Sequence, residues 1–400
     1  MKTKDSAKIF YLIVLAQFCG TSVWFAGNSV LPQLQAEVGL PSSSLGFLTS
    51  STQLGFILGT LVFAAAGISD RFSPSNVFFV SSIFASLLNA AMLINTSSFE
   101  LIVLTRFGVG VSLAGVYPVG MKIAADWNQH GLGHWLGALV GALVLGTAFP
   151  YSLKLIPQLP EIENVILAVS AFCVLGGVIV YVFVPDGPFR KASSAFSIFG
   201  IVKAFSSKEF RAPALGYFGH MWELYAMWAF IPAVFGYYAE INNAKINLPA
   251  LAFVTIGVGS LGCYVGGILS IRVGSATLAT VALSLSGICC LLSPFIWNLP
   301  IVAFLLFMIA WGTTMAADSP QFSTLVAQHA PADVRGSAIT MVVCIGFAIT
   351  IVSIQLLSFL KTIIPFQYLF LVLVPGPALG CLAMRQVFNR QTVIKQNELR

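Results

Sequence analysis

A helix needs about 20 apolar residues to cross the hydrocarbon core of a membrane, because each residue advances it by about 1.5 Å. Stretches of that length recur along this chain, at 9–31, 45–67, 76–95, 99–122, 134–154, 163–184, 212–238, 249–271, 275–294, 299–326, 337–360 and 364–385. Pro32, Pro41, Pro160, Pro185, Pro249, Pro300 and Pro365 fall at or just beyond their ends, where helices stop or begin. Composition excludes an ordinary soluble surface: 58% of the 400 residues are hydrophobic and 8% charged, against roughly 25% charged in soluble domains. The chain therefore reads as an all-α membrane protein with twelve transmembrane helices. Its first apolar run continues to Leu31 with no small-residue cleavage site, so it reads as an uncleaved span rather than a signal peptide. The seven cysteines all lie inside apolar runs, without metal-like spacing, and read as small core residues. No metal and no cofactor is expected.

Lys and Arg set the direction of insertion, since they collect in cytoplasmic loops. With the N-terminus inside, only Lys154, Lys245 and Lys361 fall on the outer side, and Arg106 lies within a span. The other basic residues are all cytoplasmic, five of them between Arg190 and Arg211. Both termini are expected in the cytoplasm, in a multi-pass protein of the plasma (inner) membrane.

The longest non-apolar stretch, Pro185 to Arg211, divides the chain into an N-terminal six-helix bundle (1–184), a cytoplasmic linker (185–211) and a C-terminal six-helix bundle (212–400). An internal echo supports duplication. The run AGVYP at 114–118 answers AADSP at 316–320, in the fourth span of each half.

Polar residues then sort the spans. A helix bordering water or solute carries them as a stripe, at spacings of three, four and seven. Span one aligns Gln17, Thr21, Trp24 and Asn28; span four aligns Arg106, Gly110 and Tyr117; span ten aligns Trp311, Thr314, Asp318 and Gln321. Span seven carries GHMWELYAMW, with Gly216, His220, Glu223 and Met227 on one face and Trp222, Tyr225 and Trp228 on those adjoining. Spans three, six, nine and twelve have no charge in their interiors and a single amide, Asn89, and read as lipid-facing scaffold. Span two adds Gln53 as an intermediate case. This pattern predicts a central cavity lined by the first span of each triplet. The plainer reading is that these groups only bond neighbouring helices. That reading is weakest for charges, which cost roughly 2.5–3.5 kcal/mol at the centre of an inserted helix. Lys122 and Lys154 lie near span ends and read as snorkelling anchors.

Twelve spans in two halves with a basic central loop resemble the major facilitator superfamily of secondary transporters, over nearly the whole chain. After span two, AGISDRFSPSN keeps the family's Asp-Arg core as Asp70 and Arg71, while Ala66 and Ser73 replace its glycines. In the second half GGILSIRVG matches with Gly267, Arg272 and Gly274. RFGVGVS supplies Arg106 and Gly110 of the span-four motif, and PADVRGSA, with Arg335, resembles the loop between spans ten and eleven. The glycine-proline pair of drug/proton antiporters is absent from span five. The resemblance implies that the halves rock around a midplane site, with Asp70, Arg71, Arg272 and Arg335 gating the cytoplasmic face.

Under that implication Glu223 and His220, with Asp318, are candidate proton-coupling groups, since a carboxyl in a low-dielectric cavity and an imidazole can both exchange protons near neutral pH. Asp318 lies about 27 Å past the start of span ten and so toward the cytoplasmic side. The candidate substrate-binding residues are Gln17, Trp24, Asn28, Gln53, Arg106, Tyr117, Trp222, Tyr225, Trp228, Trp311 and Gln321. Arg106 either binds a substrate carboxylate or closes a structural ion pair. One arginine is few for a polyanion, so a small neutral, zwitterionic or monoanionic solute fits better. The expected function is therefore a proton-coupled carrier of a small organic solute, acting as a monomer in the lipid bilayer with no nucleic-acid partner. Efflux of lipophilic cations is the alternative, and a non-transporting receptor or an enzyme is less consistent with short loops that hold no catalytic spacing.

Overall fold

The computed structural model describes residues 3–41, 43–128, 132–159, 161–190 and 197–398. Residues 191–196 of the expected linker lie outside them. The described chain is built of helices and the turns between them.

The twelve predicted spans are all present as helices. In order they are Thr3–Thr21 with Ala26–Val38, Ser44–Ala66, Pro74–Ala91, Phe99–Leu113 with Tyr117–Trp127, Leu132–Leu153, Ile162–Phe183, Lys208–Ile241, Leu248–Val273, Ser275–Leu292, Ile301–Ala317 with Ser319–His329, Arg335–Leu360, and Phe366–Leu373 with Pro375–Glu398. Eleven are long and apolar enough to cross a membrane by composition alone. The exception is span seven, the longest unbroken helix at 34 residues, whose GHMWELYAMW stretch dilutes its hydropathy. Its polar groups are taken out of the way by packing: from Gly219 to Ile231 every residue except Trp222 is buried.

The spans pack as two pseudo-symmetric six-helix bundles. Span one lies against five and six, two against four, and three against six. Six spans later the same pairs recur: seven against eleven and twelve, eight against ten, nine against twelve. Spans five and eight, and spans two and eleven, join the bundles. These two contacts exchange under the same six-span shift.

Two close approaches explain why glycine is needed in the two-four and eight-ten pairs. A Cβ on Gly110 would lie 2.1 Å from the carbonyl oxygen of Thr52, and one on Gly312 would lie 2.1 Å from that of Thr255. Small residues of this kind let membrane helices meet backbone to backbone.

Spans one, four and ten are broken near mid-length. The breaks in four and ten fall on the echoed runs AGVYP and AADSP, where Pro118 and Pro320 occupy the first turn of the second helical segment. Proline has no N–H for the preceding turn, so a carbonyl is released there and must find another donor. At Ala316 the thiol of Cys263 supplies one, across 3.1 Å.

The linker helix Ile198–Ser206 is capped by Ser197, whose hydroxyl accepts from the Gly200 N–H at 3.1 Å. It rests on the first turn of span eleven and the loop before it, through the Ser197 N–H to Ser337 Oγ at 3.0 Å and Lys203 to Asp333 at 3.1 Å. The hydrogen bond from Lys203 holds the Asp333 carboxyl below its usual range.

Candidate functional site

The bundles meet across a seam of aromatic rings. The break in span one turns Trp24 toward span eleven, where its ring stacks on Phe347 at a centroid distance of 5.7 Å. Tyr225 of span seven lies 5.8 Å from Trp24 and 5.2 Å from Phe347, and Phe56 of span two lies 4.5 Å from Phe347. Trp228 packs edge-on against Tyr225 and Phe25. What space remains at the centre is about 20 Å³, bordered by Tyr117, Leu224, Tyr225, Trp228, Ala316 and Phe347. That is room for about one water molecule.

A larger cavity opens between the bundles at each end of this seam. At one end about 170 Å³ is lined by Thr60, Asp70 and Lys122 of the N-terminal half and by Gly336, Ser337 and Thr340 of span eleven. At the other about 330 Å³ is lined by Asn28, Tyr151 and Lys154 on one side and by Pro232, Ala252 and Lys361 on the other.

Each bundle also encloses ionisable groups, Arg106 and Asp126 in the N-terminal half and His220, Glu223 and Asp318 in the C-terminal half. In the N-terminal half Arg106, fully buried, donates to the Val23 carbonyl at 3.3 Å, at the break in span one, and to Asn89 Oδ1 at 2.7 Å. Asn89 in turn donates to Ser170 Oγ at 2.9 Å and to the Ile166 carbonyl at 3.1 Å. No carboxylate pairs with Arg106 among the described residues. Of the two alternatives for Arg106, the structural ion pair is not formed among the described residues, and two neutral acceptors hold the side chain instead.

In the C-terminal half Glu223 receives three donors. Trp311 Nε1–H donates to Oε1 at 2.8 Å, Cys290 Sγ–H to the same oxygen at 3.3 Å, and Ser286 Oγ–H to Oε2 at 2.8 Å. One turn away His220 Nδ1 lies 2.9 Å from Asp318 Oδ1, both buried, at the break in span ten. Span seven thus aims both ionisable groups into its own bundle, against spans nine and ten.

The other sequence candidates divide by location. Trp24, Tyr117, Tyr225 and Trp228 meet at the seam. Asn28 donates to Thr49 Oγ1 at 2.7 Å and lines the larger cavity. Gln17 lies against Gly120 of span four, Gln321 near Gly266 of span eight, and Gln53 is fully buried. Trp222 turns away from the seam and donates to the Val372 carbonyl of span twelve at 3.0 Å. Of the gating candidates Asp70 forms an ion pair with Lys122 of its own half, while Arg71, Arg272 and Arg335 are exposed. Arg190 of the linker donates to the Asp70 and Phe72 carbonyls and pairs with Asp186, so it closes the same corner from behind.

Several buried polar groups have no protein partner: the Trp24 and Trp228 indole N–H groups at the seam, and both amide ends of Gln17 and Gln53. Leaving such a group unpaired costs about 1–3 kcal/mol.

Sequence reading missed Ser286, Cys290 and Ser170. They belong to spans nine and six, which look like scaffold because they carry no charge. Serine and cysteine are too common in membrane helices to stand out, and only Asn89 gave a signal.

The match that decides the family covers most of the chain: the Major Facilitator Superfamily model aligns with residues 13–354. The chain belongs to this superfamily. A Pseudomonas putida protein described as a probable galactarate/D-glucarate transporter is 26% identical over 136 residues, 32% of this chain and 29% of that protein. The match thus spans under a third of that relative. Two solved structures share the superfamily fold. The human organic anion transporter MFSD10 superposes with a TM-score of 0.74 at 14% identity, covering 96% of this chain and all of that one. The proton:xylose symporter XylE, bound to 6-bromo-6-deoxy-D-glucose, superposes at 0.76 with 12% identity and 96% of each chain covered. As a superfamily member the chain is an integral multi-pass membrane protein and a secondary transporter.

Proposed function

We propose that this transporter moves a small organic solute by alternating access coupled to protons. The observation that carries this reading is the pair of cavities at opposite ends of one aromatic seam to which both halves contribute. Rocking of 1–184 against 212–400 about that seam would widen one cavity while closing the other, with 185–211 as the tether. The Asp70 end faces the cytoplasm, as do both termini, in the plasma (inner) membrane, and the monomer suffices. The substrates named for the similar proteins, a sugar acid, organic anions and xylose with a proton, are all small organic solutes.

Glu223 is the group we assign to proton coupling. When ionised, the carboxylate accepts all three of its donors. When protonated it needs one acceptor instead, and Ser286 provides for that: its hydroxyl also lies 3.1 Å from the Leu283 carbonyl. Rotating that O–H toward Leu283 turns Ser286 from donor to acceptor, so both protonation states keep their hydrogen bonds. His220 and Asp318 relay the proton toward the break in span ten. Lipophilic-cation efflux loses support from Lys154 and Lys361 at the wider cavity.

The test is transport into proteoliposomes. Wild-type protein should accumulate its solute under an imposed proton gradient, whereas Glu223→Gln should exchange solute across the membrane without accumulating it. Accumulation at the wild-type level in Glu223→Gln would end the assignment.

A further inference from the structure

We propose that the cavity at the Lys154 end is a capture site for organic carboxylates, with Lys154 and Lys361 binding the anion from opposite halves and Tyr151 donating a hydrogen bond to it. The proposal names a substrate class for the transport reading above and rests on that reading for its physiological role.

Three observations converge. Lys154 of the N-terminal half and Lys361 at the end of span eleven line one cavity of about 330 Å³, within the range that holds small-molecule ligands. Its lining contains no Asp or Glu among the described residues, so neither ammonium is neutralised inside it. Lys154 donates to the Ser29 carbonyl at 3.0 Å, which fixes the direction of its side chain and leaves two N–H donors for a ligand. The Tyr151 hydroxyl is buried, lines the same cavity and has no partner in the protein. A phenol can donate one hydrogen bond, and a carboxylate oxygen is the acceptor that two flanking cations would bring to it.

The rest of the wall is apolar. Leu31, Pro232, Ala233 and Ala252 face the cavity, matching the carbon frame of an organic acid better than the hydration shell of an inorganic anion. Because the two lysines come from different bundles, an anion between them offsets their mutual repulsion. Capture therefore favours approach of the two halves at this end, the movement needed to pass the solute inward. Sequence reading placed Lys154 as a snorkelling anchor and Lys361 as an outer-side charge, and did not connect them because their spans are distant in the chain.

The electrostatics can be read without knowing the natural solute. In Ala233→Cys, which places a thiol on the cavity wall, reaction with an anionic methanethiosulfonate should outpace reaction with its cationic counterpart, relative to free thiol, by about tenfold or more. The ratio should fall toward one when Lys154→Gln and Lys361→Gln are added. Galactarate should protect the introduced thiol while galactitol, its neutral polyol counterpart, should not. Tyr151→Phe should weaken protection without changing the reagent ratio. The proposal is overturned if the ratio ignores the lysines, if galactarate gives no protection, or if galactitol protects equally. These labelling rates do not depend on turnover. A failure of proton-driven accumulation therefore counts against the transport reading alone, and a failure of protection against the capture site alone.

Discussion

Trp311 and Glu223 meet inside the C-terminal bundle, the indole N–H donating to the carboxyl across 2.8 Å from a neighbouring helix. A buried carboxyl needs its donors, and this one receives three of them from spans nine and ten. Trp311→Phe keeps an aromatic ring of smaller size and removes the donor. We expect it to lower stability by about 1–3 kcal/mol. Trp222→Phe, which loses only a bond to a backbone carbonyl on a half-buried side chain, should cost less. Thermal unfolding of the two purified variants in the same detergent checks the order, and equal losses would contradict it.

Asp70 neutralises Lys122 beside the start of span eleven. Without the carboxylate, Lys122 faces Gly336 and Ser337 at the positive end of that helix, and the two repel. Asp70→Asn should therefore open this end of the molecule. The rate at which Thr340→Cys, on the wall of the same cavity, reacts with a soluble maleimide should rise. An unchanged rate would show that the pair does not hold this end closed.

Lys154 stands just beyond the last residue of the fifth helix, and burial lowers its ammonium from 10.5 to about 8. Between those values the unfolded chain holds a proton that the folded one has released. Stability should therefore rise with pH from about 8 toward 10.5, and the charge available to an anion should fall over the same interval. The stability effect is small, because the group is only half-buried. Replacing Lys154 by Met should remove this pH dependence from the unfolding midpoint, and persistence of the slope would assign it elsewhere.

Gly312 has no room for a methyl group, since a Cβ there would meet the Thr255 carbonyl oxygen. Gly312→Ala should push spans eight and ten apart at a cost of about 1–3 kcal/mol. A lower unfolding midpoint is the expected result.

The fold was legible because a membrane imposes one simple rule, about twenty apolar residues per crossing, and span seven alone obscured it. Its polar stretch was readable as unusual, but not the direction in which it points. The helical stripe placed His220 and Glu223 on a common face, yet which neighbour that face meets depends on packing between spans far apart in the chain, as Trp311 shows. The same distance hid that Lys154 and Lys361 line one cavity. Trp222 was grouped with Tyr225 and Trp228 by proximity in sequence, although one turn of helix sends it toward span twelve. The echo at 114–118 and 316–320 proved more informative than its few residues suggested, since both copies coincide with a helix break before proline.

Alternation between the two ends is the central claim, and distances measure it most directly. Spin labels at Gln35 and Leu248 straddle the Lys154-end cavity, and labels at Ser69 and Thr340 straddle the Asp70-end cavity. In lipid, lowering the pH should lengthen one distance while shortening the other, and Glu223→Gln should abolish that response. Both distances changing together, or neither changing in the wild type at any pH, would contradict the account.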